Sequence, residues 1–95
     1  MPALFVWDED KAESNHRKHG ISFDEAQTVF LDELSITRPD PEHSQEEERL
    51  IILGMSNKRR LLVVSFAEGG KKIRLISARK ATRVERKQYE EEDLT

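Results

Sequence analysis

The stretch LIILGMSNKRRLLVVSFAEGGKKIRLISA, residues 50–78, decides the fold. It contains three apolar runs of strand length, rich in the branched side chains that favour extended backbone: residues 50–55, 61–67 and 72–78. Gly69 and Gly70 separate the last two runs and suit the tight turn of a hairpin. The stretch therefore predicts three neighbouring antiparallel strands in a meander.

A short strand at residues 5–7 and then an α-helix are predicted upstream of this stretch. Asp8 is a good helix N-cap, because its carboxylate can accept hydrogen bonds from the free N–H groups of the first turn. Gly20 suits the left-handed position that ends a helix, so the helix should reach His19. Ala12 is its only apolar residue. The helix must therefore lie at the rim of the core or present a polar face to a ligand.

A second helix is predicted after a capping box, in which Ser22 caps the helix and Glu25 reaches back to the backbone N–H of Ser22. Its apolar face has helical spacing and is ordinary core material: Phe23, Ala26, Val29 and Phe30. Residues 34–37 are a candidate edge strand. Residues 38–44 are predicted to be a loop, because the two prolines there cannot donate ladder hydrogen bonds.

Thr82 and Glu85 form a second capping box, which opens a C-terminal helix running through Tyr89 into an acidic end. The predicted fold class is α+β: one small domain over residues 1–95, with an antiparallel β-sheet meander, two N-terminal helices and one C-terminal helix. A chain of 95 residues with 36% apolar content can build one modest core.

The composition excludes several classes of protein. The chain has no cysteine, which rules out disulfides and thiolate metal sites. No apolar run approaches the roughly 20 residues that span a membrane. The apolar start is too short for a secretion signal, so a cytoplasmic protein is expected.

Charge is segregated along the chain, so the net charge of −3 is misleading. Residues 1–56 carry 5 basic and 13 acidic residues, and residues 90–95 add four acidic ones. Residues 57–89 carry 11 basic residues against two glutamates. Because fields act within a Debye length of roughly 8–10 Å, a phosphate would experience this basic region locally. The alternative is a solvated surface that pairs internally with the acidic part of the chain.

Arginines around the last predicted strand are the first candidates for a phosphate site. Strict alternation puts Arg74 on one face with Ile76 and Ala78, among apolar neighbours. An arginine in such a place is either paired with a carboxylate or aimed into a cleft. Arg79 ends the strand. The next helix carries a basic ridge that consists of Arg83, Arg86 and Lys87. The ridge either binds phosphate, or its arginines pair with Glu90 and Glu91 on the same helix.

Histidines and one glutamate are candidates for acid–base chemistry, since histidine titrates near neutrality. His19 sits at a helix end, where the alternative role is to stabilise the helix dipole. His43 lies in the proline-rich loop, where the alternative is a hydrogen bond that stabilises the loop. Glu48 enters the first strand of the meander, where it could instead pair with Arg74. No two histidines stand at metal-ligand spacing, and neither a metal site nor a cofactor is predicted.

Segments spread over residues 5–89 resemble the BrnT toxins. The most specific are Lys18-His19-Gly20-Ile21-Ser22-Phe23 and Ile76-Ser77-Ala78-Arg79-Lys80-Ala81-Thr82. Others are Phe5-Val6-Trp7-Asp8, Asp40-Pro41-Glu42-His43-Ser44, Glu48-Arg49, Gly54-Met55-Ser56, and Glu85-Arg86 with Tyr89. The resemblance covers almost the whole chain, and only the first four residues and the acidic end depart from it.

The resemblance implies a fold, an activity and a partner. BrnT proteins are the toxins of bacterial type II toxin–antitoxin pairs, with a compact RelE-like fold, and they act as ribonucleases that arrest translation. A BrnA antitoxin neutralises the toxin in an assembly of two toxins and two antitoxins, and it supplies the part that binds operator DNA. The expected substrate is therefore RNA, cleaved without a metal or a cofactor.

A site is expected from this chemistry. Metal-free cleavage of RNA requires activation of the 2′-hydroxyl, stabilisation of negative charge at phosphorus, and a proton for the leaving oxygen, and arginines can stabilise the charge. The predicted catalytic residues are Arg74 and Arg79 at the scissile phosphate, Lys18 and His19 converging on it, and His43 or Glu48 as weaker candidates for the base. The predicted RNA-binding residues are Trp7 and Tyr89, which can stack on bases, and Lys11, Asn15, Arg83 and Arg86.

Two other functions stay open. The chain could seat a partner protein without cleaving RNA, as an inactive toxin kept as a co-repressor. It could also bind RNA without catalysis. Such domains present exposed aromatic side chains, whereas only 6% of this chain is aromatic, so that function is disfavoured.

Overall fold

The computed structural model describes residues 4–40 and 48–93. In it the chain forms a five-stranded mixed sheet with three α-helices. The elements are β1 (Leu4–Val6), α1 (Glu9–His19), α2 (Phe23–Ala26) with a 3₁₀ continuation (Gln27–Leu31), β2 (Ile36–Pro39), β3 (Arg49–Met55), β4 (Leu61–Gly69), β5 (Lys72–Lys80) and α3 (Arg83–Asp93). The strand order across the sheet is β1-β5-β4-β3-β2. The α+β class and the β3-β4-β5 meander are confirmed. The RelE-like relationship stays a prediction.

The ends of α1 follow the local sequence. The Asp8 carboxylate accepts hydrogen bonds from the backbone N–H groups of Asp10 at 2.8 Å and Lys11 at 3.2 Å. Gly20 has a φ of 73°, a left-handed conformation that glycine adopts without steric cost, and its N–H donates to the carbonyl of His16. Both predicted helix ends are confirmed.

The first strand corrects the prediction of a purely antiparallel sheet. β1 pairs in parallel with β5, and Phe5 lies opposite Ile73. This pairing joins the two ends of the chain, so no turn signal in the sequence could specify it. The sheet is therefore mixed.

The second correction concerns β2. Arg38 and Pro39 were predicted to lie in a loop, yet they belong to this strand, which pairs antiparallel with β3. The Asp40 N–H donates to the carbonyl of Arg49 at 2.9 Å, so the nitrogen of the alternate residue Pro39 points away from β3. At the edge of a sheet that nitrogen needs no partner, so the missing N–H costs nothing there.

The capping box of α2 is only half as predicted. Ser22 Oγ accepts the backbone N–H of Glu25, but the Glu25 carboxylate does not return to Ser22. It accepts hydrogen bonds from Ser56 Oγ at 2.6 Å and from the Arg60 guanidinium. Arg60 is the main reason that the pKa of this buried carboxyl lies below its ordinary value. The residue therefore ties α2 to the β3–β4 turn.

The sheet has two different faces. One is covered by α1 and α2 and holds the main core, whose largest fully buried side chains are Ile21, Phe23, Val29, Leu62, Val64, Phe66 and Leu75. The other, here named the α3 face, carries a smaller cluster in which Tyr89 of α3 packs with Leu53, Leu61 and Val63. Of the described helices, none combines the length and the apolar character that crossing a bilayer requires.

A β-bulge in β5 decides which side chains share a face. Ser77 lies opposite Ser65 and Leu75 lies opposite Phe66, so Ile76 has no partner across the ladder. The predicted strict alternation is therefore wrong beyond Leu75. Ala78 shares the main core with Leu75 rather than lying beside Arg74. The extra residue also turns Arg79 toward the face that carries Arg74.

Candidate functional site

Four arginines from three strands lie on the α3 face. Arg38 of β2 is opposite Ile51, and Arg79 of β5 is opposite Val63, a member of the α3-face cluster. Arg49 of β3 and Arg74 of β5 both pair with Ala67, the β4 residue between them. These four arginines define the arginine face, and the bulge in β5 is what brings Arg79 into it.

The other described strand residues on this surface are neutral or positive, although Glu85 of the C-terminal helix also reaches it. Lys72 is two residues from Arg74 on the same strand, so it lies on the same face, and the central positions are Ser65, Ala67 and Ser77. Of the strand residues that the structure describes, none on this face is acidic, whereas Glu68 lies opposite Ile73 on the core side. The surface therefore presents positive charge on a chain whose net charge is −3.

Arg79 is oriented by a carboxylate of α3. Its Nη1 and Nη2 donate to Glu85 Oε1 and Oε2, each at 2.8 Å, in a bidentate pair. Glu85 also accepts the Thr82 N–H, and its own N–H donates to Thr82 Oγ1, which confirms the second capping box. Hydrogen bonds from Arg79 are the main reason that the pKa of Glu85 is lowered to about 2. Partial burial acts in the opposite direction. A phosphate at Arg79 must therefore share the guanidinium with Glu85 or displace it.

The predicted ridge on α3 is exposed. Arg83 and Arg86 lie on the surface of the helix. Within the described part of the chain, neither forms the alternative ion pair with Glu90 or Glu91. Both guanidinium groups are available to a ligand beside the arginine face.

Two aromatic residues predicted to stack on bases contribute to packing. Tyr89 is 8% exposed, and its hydroxyl donates to Asp32 Oδ2 at 2.6 Å, so little of its ring is open to a base and its stacking on RNA stays a prediction. Burial alone would raise the pKa of Asp32, but hydrogen bonds from Tyr89 and from two backbone N–H groups hold it below its ordinary value. Trp7 is half-buried and packs edge-to-face on Phe23, with ring centroids 5.9 Å apart.

A second group of predicted residues lies elsewhere, in a cleft of about 470 Å³ between α1 and β5. This α1 cleft is lined by Asp8, Asp10, Lys11, Ser14, Asn15, Lys18, His19, Ile76 and Ser77. None of the four arginines lines it. The structure thus brings Lys18 and His19 together with each other, but in a different pocket from the arginines with which they were predicted to converge.

Asn15 in this cleft is a structural residue. It is 7% exposed, its Nδ2 donates to the carbonyls of Ile21 and Ala78, and its Oδ1 accepts the N–H of Ala78. These three hydrogen bonds use both donors of the amide, and RNA binding by Asn15 stays a prediction. The side chain fastens α1 to the backbone of β5.

Of the two candidates for the base, the structure describes Glu48 but not His43. Glu48 is exposed and directly precedes Arg49, the first residue of β3. His43 lies outside the described residues.

Sequence reasoning missed two members of the arginine face. Arg49 shares the parity of Ile51 within one strand, a signal that was present in the sequence. Arg38 was hidden because the prolines around it favoured a loop. The pairing of β2 with β3, and of β3 with β4, shows that both arginines share a face with Arg74 and Arg79.

Comparison with known proteins gives two similarities. The sequence matches a family model described as the ribonuclease toxin BrnT of type II toxin–antitoxin systems, over residues 7–85. The fold is similar to the 1.1 Å crystal structure of the Brucella abortus ribonuclease toxin BrnT, with a TM-score of 0.65, 25% sequence identity, and coverage of 84% of this chain and 99% of that one. No curated protein sequence matches. The matched family region includes both the α1 cleft and all four arginines.

Proposed function

Because this chain belongs to the BrnT family of ribonuclease toxins of type II toxin–antitoxin systems, we propose that its arginine face binds RNA and cleaves it. The observation that carries the proposal is the gathering of Arg38, Arg49, Arg74 and Arg79 on one face of the sheet. Planar guanidinium groups bind phosphate oxygens in pairs, and several of them around one phosphate suit a charged transition state.

Cleavage requires three events at one linkage. The 2′-oxygen attacks phosphorus after losing its proton to a base, and the 5′-oxygen leaves after gaining a proton from an acid. Negative charge grows on the non-bridging phosphate oxygens between these events. Arg74, with Arg49 beside it across Ala67, stabilises that charge, which is usually the largest contribution to such catalysis. Neither step needs a metal ion in this scheme.

The proton carriers are proposed from residues that lie close to Arg49 in the sequence. Glu48 directly precedes Arg49 and is the described residue that we assign as the base, with His43 in the preceding segment as its competitor. Lys18 and His19 line the α1 cleft, so they can act at the scissile linkage only if RNA reaches both surfaces. Replacing Glu48 with Gln should lower kcat while leaving RNA affinity within about twofold, if Glu48 moves a proton.

The family also supports a partner. We propose that a BrnA-type antitoxin neutralises this chain in an assembly of two toxins and two antitoxins, and that operator DNA is bound only through the antitoxin. We also propose that the fold is RelE-like and that the chain acts in the cytoplasm to arrest translation. Purified chain mixed with the product of a neighbouring antitoxin gene should lose RNA cleavage and elute as a larger species.

The decisive experiment measures cleavage of a labelled RNA in EDTA. Arg74→Ala should lower kcat/KM by about 10²–10³-fold, as the loss of one preorganised charge-stabilising group does. Arg17→Ala is the matched control, because Arg17 is exposed on α1 and lines neither surface. A folded Arg74→Ala variant with full activity would contradict the site. Loss of cleavage by the wild-type chain in EDTA would contradict the metal-free mechanism.

One observation favours the partner-binding alternative. Arg79 is paired with Glu85, as an arginine with a purely structural role would be. If the wild-type chain binds its antitoxin but leaves every tested RNA intact, the chain is a partner-binding module.

A further inference from the structure

The α1 cleft adjoins the arginine face across the edge of β5. Ser77 takes part in both surfaces: it lies opposite Ser65 on the α3 face, between Arg74 and Arg79, and it also lines the cleft. Ile76 and Ser77 are the residues of β5 that line the cleft. The bulge that moves Arg79 therefore also opens a route from the arginines to α1.

Among the described residues, no strand pairs with this edge of β5 beyond Arg74. β1 pairs with β5 only as far as Arg74, and beyond it Asn15 binds the backbone of Ala78. Its hydrogen bonds close the edge at one residue and leave Ile76 and Ser77 facing the cleft. A flexible ligand on the arginine face can therefore turn around this edge without displacing a paired strand.

The wall on α1 carries a line of donors. Lys11, Ser14 and Lys18 are spaced three and four residues apart, so they follow one side of the helix, with about 10 Å between the first and the last. Both lysines are exposed, and within the described part of the chain neither is in an ion pair. Two cations on one line suit a chain of phosphates better than a single small anion.

Two carboxylates limit where phosphates can lie. Asp8 and Asp10 line the N-terminal end of the cleft, and Asp8 is already engaged as the cap of α1. They would repel a phosphate at that end, while Lys18 attracts one at the other. The polarity of the cleft therefore directs an RNA backbone along the lysines toward the C-terminal end of α1.

We propose that the α1 cleft is a second RNA-binding site, which holds the phosphates of single-stranded RNA flanking the cleaved linkage. The path turns around the edge of a sheet, which a flexible single strand can follow and a stiff duplex cannot. The inference rests on the proposed function, since the cleaved linkage lies on the arginine face. It assigns Lys11 and Lys18 to binding outside the scissile linkage.

The first test measures affinity without cleavage. The probe is a 2′-O-methyl RNA of roughly 12 nucleotides, within the site sizes of about 4–16 nucleotides of small single-strand-binding domains. The double variant Lys11→Gln/Lys18→Gln should bind about 25-fold more weakly at about 0.1 M salt, and its salt slope should fall by about 1.4, because each phosphate contact on a single strand contributes about 0.7. Lys71→Gln, an exposed lysine in the β4–β5 turn, should change the affinity less than about twofold. Equal losses from the control and the double variant, or no loss from the double variant, would overturn the proposal.

The second test locates the RNA. A photo-crosslinking base is moved along the same RNA, one position at a time, and the crosslinked peptide is identified. Flanking nucleotides on one side should crosslink to α1, whereas the nucleotide at the cleavage point should crosslink to strands of the arginine face. If the nucleotide at the cleavage point crosslinks to α1, the cleft is part of the cleavage site and the proposal is wrong. If the lysines support binding but no RNA is cleaved, the proposed function fails while the second site stands.

Discussion

At the scale of one residue, Arg79 shows that a carboxylate already pairs with part of the positive charge on the arginine face. Its guanidinium is on the surface proposed to bind phosphate, yet both of its terminal nitrogens already donate to Glu85. Glu85 in turn belongs to the capping box of α3. The carboxylate occupies the place that a phosphate would take, so it holds Arg79 in position and competes for it.

Removing the charge of Glu85 should strengthen RNA binding. Glu85→Gln keeps a side chain that can accept the Thr82 N–H but weakens the pair with Arg79. Affinity for the 2′-O-methyl RNA should rise about fivefold at about 0.1 M salt, because one more phosphate contact adds about 0.7 to the salt slope. Glu90→Gln makes the same charge change on the exposed surface of α3 and should have less than half that effect. Equal gains from both variants would mean that net charge, rather than the pair, is responsible.

The same glutamate predicts a pH dependence of stability. Its pKa is about 2 in the folded chain against 4.5 without the fold, so the ionised form is stabilised by folding. That contribution is fully present above about pH 5 and is lost as the pH falls toward 2. The difference in free energy of unfolding between wild type and Glu85→Gln should therefore shrink over this range in urea titrations. Glu25 and Asp32 titrate in both chains and cancel. If this difference in the free energy of unfolding stays constant from pH 7 to about pH 2, the ion pair between Arg79 and Glu85 does not stabilise the fold.

At the scale of elements, the side-chain amide of Asn15 holds α1 against β5. α1 has little apolar surface, so Asn15 attaches it by three hydrogen bonds to Ile21 and Ala78. The strand accepts this side chain because its outer edge is unpaired beyond Arg74. The helix therefore closes part of the edge and forms one wall of the α1 cleft.

Asn15→Asp tests this attachment. The change preserves shape but replaces two donated hydrogen bonds with a carboxylate oxygen facing two carbonyls. It should lower the free energy of unfolding by about 2–4 kcal/mol, because a buried unsatisfied or repelled polar group costs about 1–3 kcal/mol and more when charged. Asn57→Asp makes the same exchange at an exposed residue and should stay within about 0.5 kcal/mol. Denaturant unfolding measures both variants. Equal losses in the free energy of unfolding would show that the hydrogen bonds of Asn15 do not stabilise the fold.

At the scale of the whole molecule, the fold separates charge that the chain total conceals. The sheet buries one face under α1 and α2 and leaves five basic residues on the other, namely Arg38, Arg49, Lys72, Arg74 and Arg79. The acidic residues of the described strands do not share that face. A protein of net charge −3 can therefore present a positive surface to RNA.

The salt dependence of RNA binding should reveal this separation. Five phosphate contacts on the arginine face would give a slope of log affinity against log salt of up to about 3.5 in magnitude, over about 0.05 to 0.3 M salt. Arg17→Ala, outside both surfaces, should leave the slope unchanged. A slope near zero would mean that the arginine face does not bind the RNA backbone.

The sequence by itself determined what depends on neighbouring residues. Asp8 and Gly20 end α1 as predicted, Thr82 and Glu85 cap α3, and the three apolar runs form adjacent strands, because caps and hairpin turns are made by residues close in the chain. The basic character of residues 57–89 and the resemblance to BrnT toxins were likewise readable from the order of residues.

Only the tertiary structure decided which distant groups meet. The parallel pairing of β1, the bulge at Ile76 and the burial of Tyr89 each depend on contacts between remote segments, which have no local signature. The bulge placed Arg79 on the face of Arg74, and the pairing of β2, β3 and β4 added Arg38 and Arg49 to it. Lys18 and His19 line a different surface. A side chain's face is set by strand register, and one unpaired residue reverses every position after it. Composition and spacing could therefore indicate a phosphate-binding protein, but the pairing of the strands selected the surface.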